Sequence, residues 1–154
     1  MSGGVRPPHL RWRLIGLVAL GGGAGAACRE ALSLLLPSIG AVPLAIPAVN
    51  VTGAFLLGCL YAALTGKGSR HTSGMNLRLL LGTGFCGGFT TYSALARDTS
   101  VLLQDGLVPA ALAYAFGTVV LGACATWAGI ALSTAVSGRT ADRPRGKKDR
   151  GRRL

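Results

Sequence analysis

Gly82-Thr83-Gly84-Phe85-Cys86-Gly87-Gly88-Phe89-Thr90-Thr91-Tyr92-Ser93 lies inside an apolar run long enough to cross a bilayer, and its composition argues against an unbroken helix. Four glycines within seven residues weaken an α-helix by about 1 kcal/mol each relative to alanine. Thr90, Thr91 and Ser93 then supply hydroxyls suited to capping a helix that restarts. Backbone that leaves the helix at membrane depth persists only where protein or a water-filled cavity satisfies it. Freed carbonyls are cation ligands, whereas exposed N–H groups and hydroxyls favour anions. The competing reading is an unbroken helix packed through its glycines. Such packing asks for spaced glycines, not a Gly-Gly pair followed by Thr-Thr. The pattern predicts a break near mid-membrane and places an ion pathway there.

Outward from this stretch, the chain reads as membrane protein throughout. It has 154 residues, half of them apolar and 14% charged, against about a quarter charged in an ordinary soluble domain. That length allows one domain. A helix needs about 20 apolar residues to span a hydrocarbon core about 30 Å thick. Four runs qualify: 14–36, 44–64, 79–103 and 107–136. The links between them, 37–43, 66–76 and 104–106, are short, so sequential spans run antiparallel. The expected fold is an all-α membrane protein of four transmembrane helices with a broken third helix. Arg11-Trp12-Arg13, the apolar 14–20 and Ala24-Gly25-Ala26 also resemble a signal peptide. The apolar character continues past Arg29 through Leu36, which makes a full span.

The formal charge of +11 does not point to nucleic acid. Eight of the sixteen Lys and Arg residues lie between Arg139 and Arg153, and Arg6, Arg11, Arg13, Lys67, Arg70 and Arg78 flank or link the apolar runs. A nucleic-acid reader needs a basic face on a folded domain; here the charge belongs against headgroups. With the N-terminus inside, the basic arm (1–13), the second link and the Gly-, Pro- and Arg-rich tail (137–154) all face the cytoplasm. The two opposite links carry no basic residue. That bias predicts a single orientation in the plasma membrane, N-in and C-in, with the tail disordered.

Several residues do not belong in lipid. Asn50 sits within the second run and must find partners, either as an interhelical hydrogen bond or on a polar pathway. Arg29 and Glu30 adjoin late in the first run, and Arg97 and Asp98 pose the same question in the third. Small residues recur at helical spacing at Gly21 and Gly25, and at Thr118, Gly122, Thr126 and Gly129, as close helix packing requires. Cys28, Cys59, Cys86 and Cys124 are scattered one to a run without metal-ligand spacing. His9 and His71 lie outside the runs, and no nucleophile–base–acid set is apparent, so no enzymatic activity is expected.

From about Gly16 to Leu132 the chain resembles the Fluc (CrcB) family of fluoride channels. The marks are Gly21-Gly22-Gly23-Ala24-Gly25-Ala26-Ala27-Cys28-Arg29, Val49-Asn50-Val51-Thr52-Gly53-Ala54-Phe55-Leu56-Leu57-Gly58, and Gly84 through Ser93. The resemblance implies passive fluoride export through an antiparallel dimer with two narrow pores. It also implies a structural Na⁺ at the dimer centre, held by backbone carbonyls at the positions of Gly87 and Thr90. Asn50 matches the pore-lining asparagine, Arg29 the vestibule arginine, and Thr91, Tyr92 and Ser93 the fluoride path. Where the family reads Phe-Ser-Thr-Phe after the double threonine, this chain has Tyr92-Ser93-Ala94-Leu95. An aromatic edge is electropositive and can meet an anion, which leucine cannot do. With the one-sided loop charge, this suggests pairing with a homologous subunit of opposite orientation. The alternatives are a small proton-coupled multidrug exporter, for which Glu30 is the sole acidic candidate, and a non-conducting packing subunit.

Overall fold

The computed structural model describes residues 12–65 and 72–141. Helix α1 runs Trp12–Leu35, α2 Ala45–Thr65, α3 Thr72–Leu77, α4 Gly87–Phe89, α5 Tyr92–Gln104 and α6 Val108–Ala141. Between α3 and α4 the chain winds as a π-helix over Arg78–Cys86. This wider winding is a form that recurs at functional sites. Gly82 and Gly84 fall within it, where the preference for α geometry is weakest.

Three of these helices are long and apolar enough to cross a membrane: Trp12–Leu35, Ala45–Thr65 and Val108–Gly138. They coincide with the expected runs 14–36, 44–64 and 107–136 to within two residues at each end. The expected run 79–103 is shared among the π-helical segment, α4 and α5, with Thr90 and Thr91 extended between the last two. The expected tail from Ser137 starts as helix, because α6 meets no proline before Pro144 and continues to Ala141. The rest of the tail, the arm up to Arg11 and the link 66–71 lie outside the described residues, and with them most of the charge that argues orientation.

Two tight connections set the antiparallel course. Strands β1 (Ser38–Ile39) and β2 (Val42–Pro43) pair in a hairpin, with Ser38 opposite Pro43 and Ile39 opposite Val42. Gly40, at φ +60°, takes the first turn position, which side chains disfavour. At the end of α5, Gly106 adopts φ +75°. Its N–H bonds to Leu103 O and that of Leu107 to Leu102 O, a Schellman closure that reverses the chain into α6.

The packing is inside-out by soluble standards. Leu34 is 80% exposed and Trp127 75%. The buried apolar cluster is small: Ile46, Leu95, Leu102, Ala111 and Tyr114. An apolar surface this wide asks for lipid or another chain. Helices meet through glycine. A Cβ on Gly21 or Gly25 would collide with the carbonyl oxygens of Leu80 or Phe85, and one on Gly88 with that of Gly22. On the other side of the bundle, Gly58 and Gly129 bring α2 and α6 together at the carbonyls of Thr126 and Phe55.

These contacts are with backbone, which cannot move aside as a flexible side chain does. Gly25→Ala is expected to cost about 1–3 kcal/mol, as overpacking does. Gly16, with nothing within 4 Å of its would-be Cβ, supplies the control. Thermal unfolding in detergent should show Gly25→Ala well below wild type and Gly16→Ala at or above it.

Candidate functional site

The chain leaves the helix at Thr90 (φ −80°, ψ 154°) and Thr91 (φ −151°, ψ 123°). Neither residue needs a positive φ, so the break is unstrained and depends on finding partners for its polar groups. Asn50, from α2, supplies both partners for Thr91. Its side-chain Nδ2 donates to Thr91 O at 3.0 Å, and the Thr91 N–H donates to Asn50 Oδ1 at 2.8 Å. Thr91 then caps the new helix, its Oγ1 accepting from Ala94 N at 3.3 Å. Thr90 Oγ1 turns the other way and donates to Cys86 O at 2.8 Å. The expected capping hydroxyl is therefore Thr91, with Ser93 Oγ beside it at 3.2 Å.

This arrangement diverts donors from particular carbonyls. A continuous α-helix would bring Thr91 N to Gly87 O and Ala94 N to Thr90 O. Both N–H groups are instead engaged, by Asn50 Oδ1 and Thr91 Oγ1. Thr90 N, the remaining near donor for Gly87, bonds to Cys86 O at 3.0 Å. The donors that Gly87 O and Thr90 O would meet in a continuous helix are thus engaged elsewhere. Gly87 also has nothing within 4 Å of its would-be Cβ, whereas Gly88 is pressed against α1. The double glycine divides its labour between an open face and a packed one.

Arg29 reaches the same junction. Its Nη1 donates to Gly88 O at 3.2 Å. Arg29, Thr91 and Ser93 line a cavity of about 590 Å³, together with Glu30, Arg97 and Asp98. Asn50 is half-buried behind them. Tyr92 stands apart, 82% exposed and outside the cavity lining, and Leu95 is buried in the apolar cluster.

A polar link that sequence reading passed over is the Tyr114 hydroxyl donating to Asp98 Oδ2 at 3.0 Å, which ties α6 to α5. Tyr114 lies one helical step before the small-residue stripe at Thr118, Gly122 and Thr126, and that continuity was the available signal. Thr126 Oγ1 bonds to Ala54 O at 3.3 Å, so the stripe does pack α6 on α2.

Long apolar helices with outward apolar surfaces, joined by tight turns around a polar cavity, define a multi-pass membrane protein. The chain matches the model of the CrcB-like protein, Camphor Resistance (CrcB), family over residues 16–130. It is 41% identical over 133 residues to fluoride-specific ion channel FluC 2 of Leifsonia xyli, covering 86% of this chain and 92% of that one. It is 38% identical over 124 residues to fluoride-specific ion channel FluC of Novosphingobium aromaticivorans, covering 78% and 95%. To the FluC of Prosthecochloris aestuarii it is 41% identical over 124 residues, covering 80% and 94%. The chain belongs to the CrcB family.

Asn50→Ala would strip both partners from Thr91, at about 1–3 kcal/mol for each half-buried group left unpaired. Hydrogen exchange at the Thr91 amide should accelerate about tenfold or more, since about 1.4 kcal/mol is a factor of ten. Exchange unchanged in Asn50→Ala would mean that another group holds Thr91.

Proposed function

We propose that this protein is a fluoride-specific ion channel that exports fluoride passively across the plasma membrane, and is not an enzyme. The observation that carries the proposal is the Asn50–Thr91 junction, which sets helix-breaking backbone and a cluster of free donors beside a polar cavity. The names of its relatives support fluoride as the ion.

The donors can be counted. Asn50 Nδ2 carries two hydrogens, and Thr91 O takes one. Thr91 and Ser93 share a single hydrogen bond between two hydroxyls, which leaves one O–H over. Fluoride is small and strongly hydrated, so a path must replace its water shell with N–H and O–H groups. Asn50, Thr91 and Ser93 supply these, and Arg29 places a positive charge at the cavity wall. No group in this set stores energy or changes redox state, so the ion moves down its own gradient.

The membrane arrangement is part of the same proposal: four spans, the third composed of the π-helical segment, α4 and α5 and broken at Thr90–Thr91. Both termini face the cytoplasm, as the loop charge requires. The protein works as an antiparallel dimer with a homologous subunit of opposite orientation, the route by which so biased a chain finds an inverted neighbour. A structural Na⁺ at the dimer centre would be held by the carbonyls of Gly87 and Thr90, whose helical donors are engaged elsewhere. Tyr92, 82% exposed and outside the cavity lining, would on this reading meet the partner's path.

The test is fluoride efflux from liposomes reconstituted with the assembly purified from cells. Fluoride should leave while chloride is retained, and Asn50→Ala should lower the rate by about tenfold or more if the junction's ~1–3 kcal/mol acts on permeation. Glu30→Gln should leave efflux in place. Its abolition would favour a proton-coupled exporter, and chloride leaving as readily as fluoride would remove the fluoride assignment.

A further inference from the structure

Four charged side chains line the polar cavity: Arg29 and Glu30 from α1, and Arg97 and Asp98 from α5. Three have distinct settings that the hydrogen bonds and exposures define. Arg29 is turned inward onto Gly88 O. Asp98 is 13% exposed and held in place by the Tyr114 hydroxyl at 3.0 Å. Arg97 is 80% exposed, and its Nη1 lies 3.9 Å from Asp98 Oδ1.

That geometry has an electrostatic consequence. A carboxylate fixed beside an anion's route repels the anion, and Tyr114 prevents this one from turning away. Its charge must be offset by a neighbour. Arg29 keeps its charge but is turned onto Gly88 O, and the cation paired with Asp98 is Arg97, so the local offset falls to Arg97. At 3.9 Å the pair is beyond the roughly 2.7–2.9 Å of a charge-assisted hydrogen bond. The guanidinium therefore neutralises Asp98 at a distance while its N–H groups stay open to solvent and to passing anions. A pair this exposed on one side adds little to stability, so an uncharged replacement at position 97 probes the field and not the fold.

We propose that Arg97 sets the field at the mouth of the anion path: it offsets the fixed carboxylate of Asp98 and draws small anions toward Thr91 and Ser93. The proposal rests on the channel reading and adds a rate-governing residue to it. In a medium between protein surface and water, a unit charge acting over a separation of about 8 Å changes the local anion concentration about two- to fivefold.

The experiment is fluoride efflux from liposomes carrying the purified assembly with wild type, Arg97→Gln, Arg97→Lys, and Arg97→Gln combined with Asp98→Asn. Each is measured at about 0.01 M and about 1 M ionic strength, where the screening length is about 30 Å and 3 Å. Arg97→Gln should slow efflux about two- to fivefold at low salt and converge on wild type at high salt, where screening removes the field. Arg97→Lys should stay near wild type. Asp98→Asn keeps an acceptor for Tyr114 and should restore the rate of Arg97→Gln. A conducting wild type with an unaffected Arg97→Gln at low salt overturns the role of Arg97 alone. So does a loss equal at both salts, or one that Asp98→Asn does not restore. A wild-type assembly that passes no fluoride instead overturns the channel reading itself.

Discussion

The bidentate hold of Asn50 on the backbone of Thr91 is the interaction on which the site depends. Two extended residues between helices expose N–H and C=O groups that lipid cannot satisfy. One carboxamide answers both groups of Thr91 from a helix 41 positions away in sequence. Because Thr91 N is taken, Gly87 O loses its donor. Because Thr91 Oγ1 caps Ala94, Thr90 O loses its own. The same few bonds close the restart of α5 and divert the helical donors of two carbonyls, so the proposed anion and cation sides of the junction have a common cause.

Such a junction needs a rigid frame, and glycine supplies it. Gly21 and Gly25 let α1 lie against the backbone of the π-helical segment and α4, with Gly88 against Gly22. This approach brings Arg29, one step further along the same face of α1, within 3.2 Å of Gly88 O. A methyl at Gly25 would push α1 outward and withdraw Arg29 from the Gly88 carbonyl. Packing and electrostatics are thus coupled through a single face of one helix.

Much of this frame was legible in the residues. The Gly-Gly-Phe-Thr-Thr run announces backbone that leaves the helix, and hydroxyl capping follows from threonine chemistry at the restart. The small-residue faces of α1 and α6 follow from spacing alone. What could not be read was pairing over distance. Asn50 left two options open, interhelical bonding or a pathway, and the structure shows the first: one N–H and the oxygen bind Thr91. The π winding of Arg78–Cys86 was also hidden, because glycine weakens the α-helix without naming its replacement. Tyr114 read as one more large residue in an apolar run until Asp98 was seen beneath its hydroxyl.

The departures at Tyr92 and Leu95 take on separate meanings once their surroundings are known. Leu95 is 6% exposed and packs with Ile46, Leu102 and Ala111, so it serves the buried core of this chain. Tyr92, one residue past the extended pair, points away from the cavity that Thr91 and Ser93 line. An exposed aromatic at that place does little for an isolated protomer and loses contact area to solvent or lipid. In the proposed antiparallel pair it lies on the face a second chain would cover, where its electropositive edge can meet an anion in the partner's path. A path assembled in this way draws its amide and hydroxyls from one chain and its aromatic edge from the other. A chain biased toward one orientation can keep an incomplete aromatic set as long as its inverted neighbour carries the remainder.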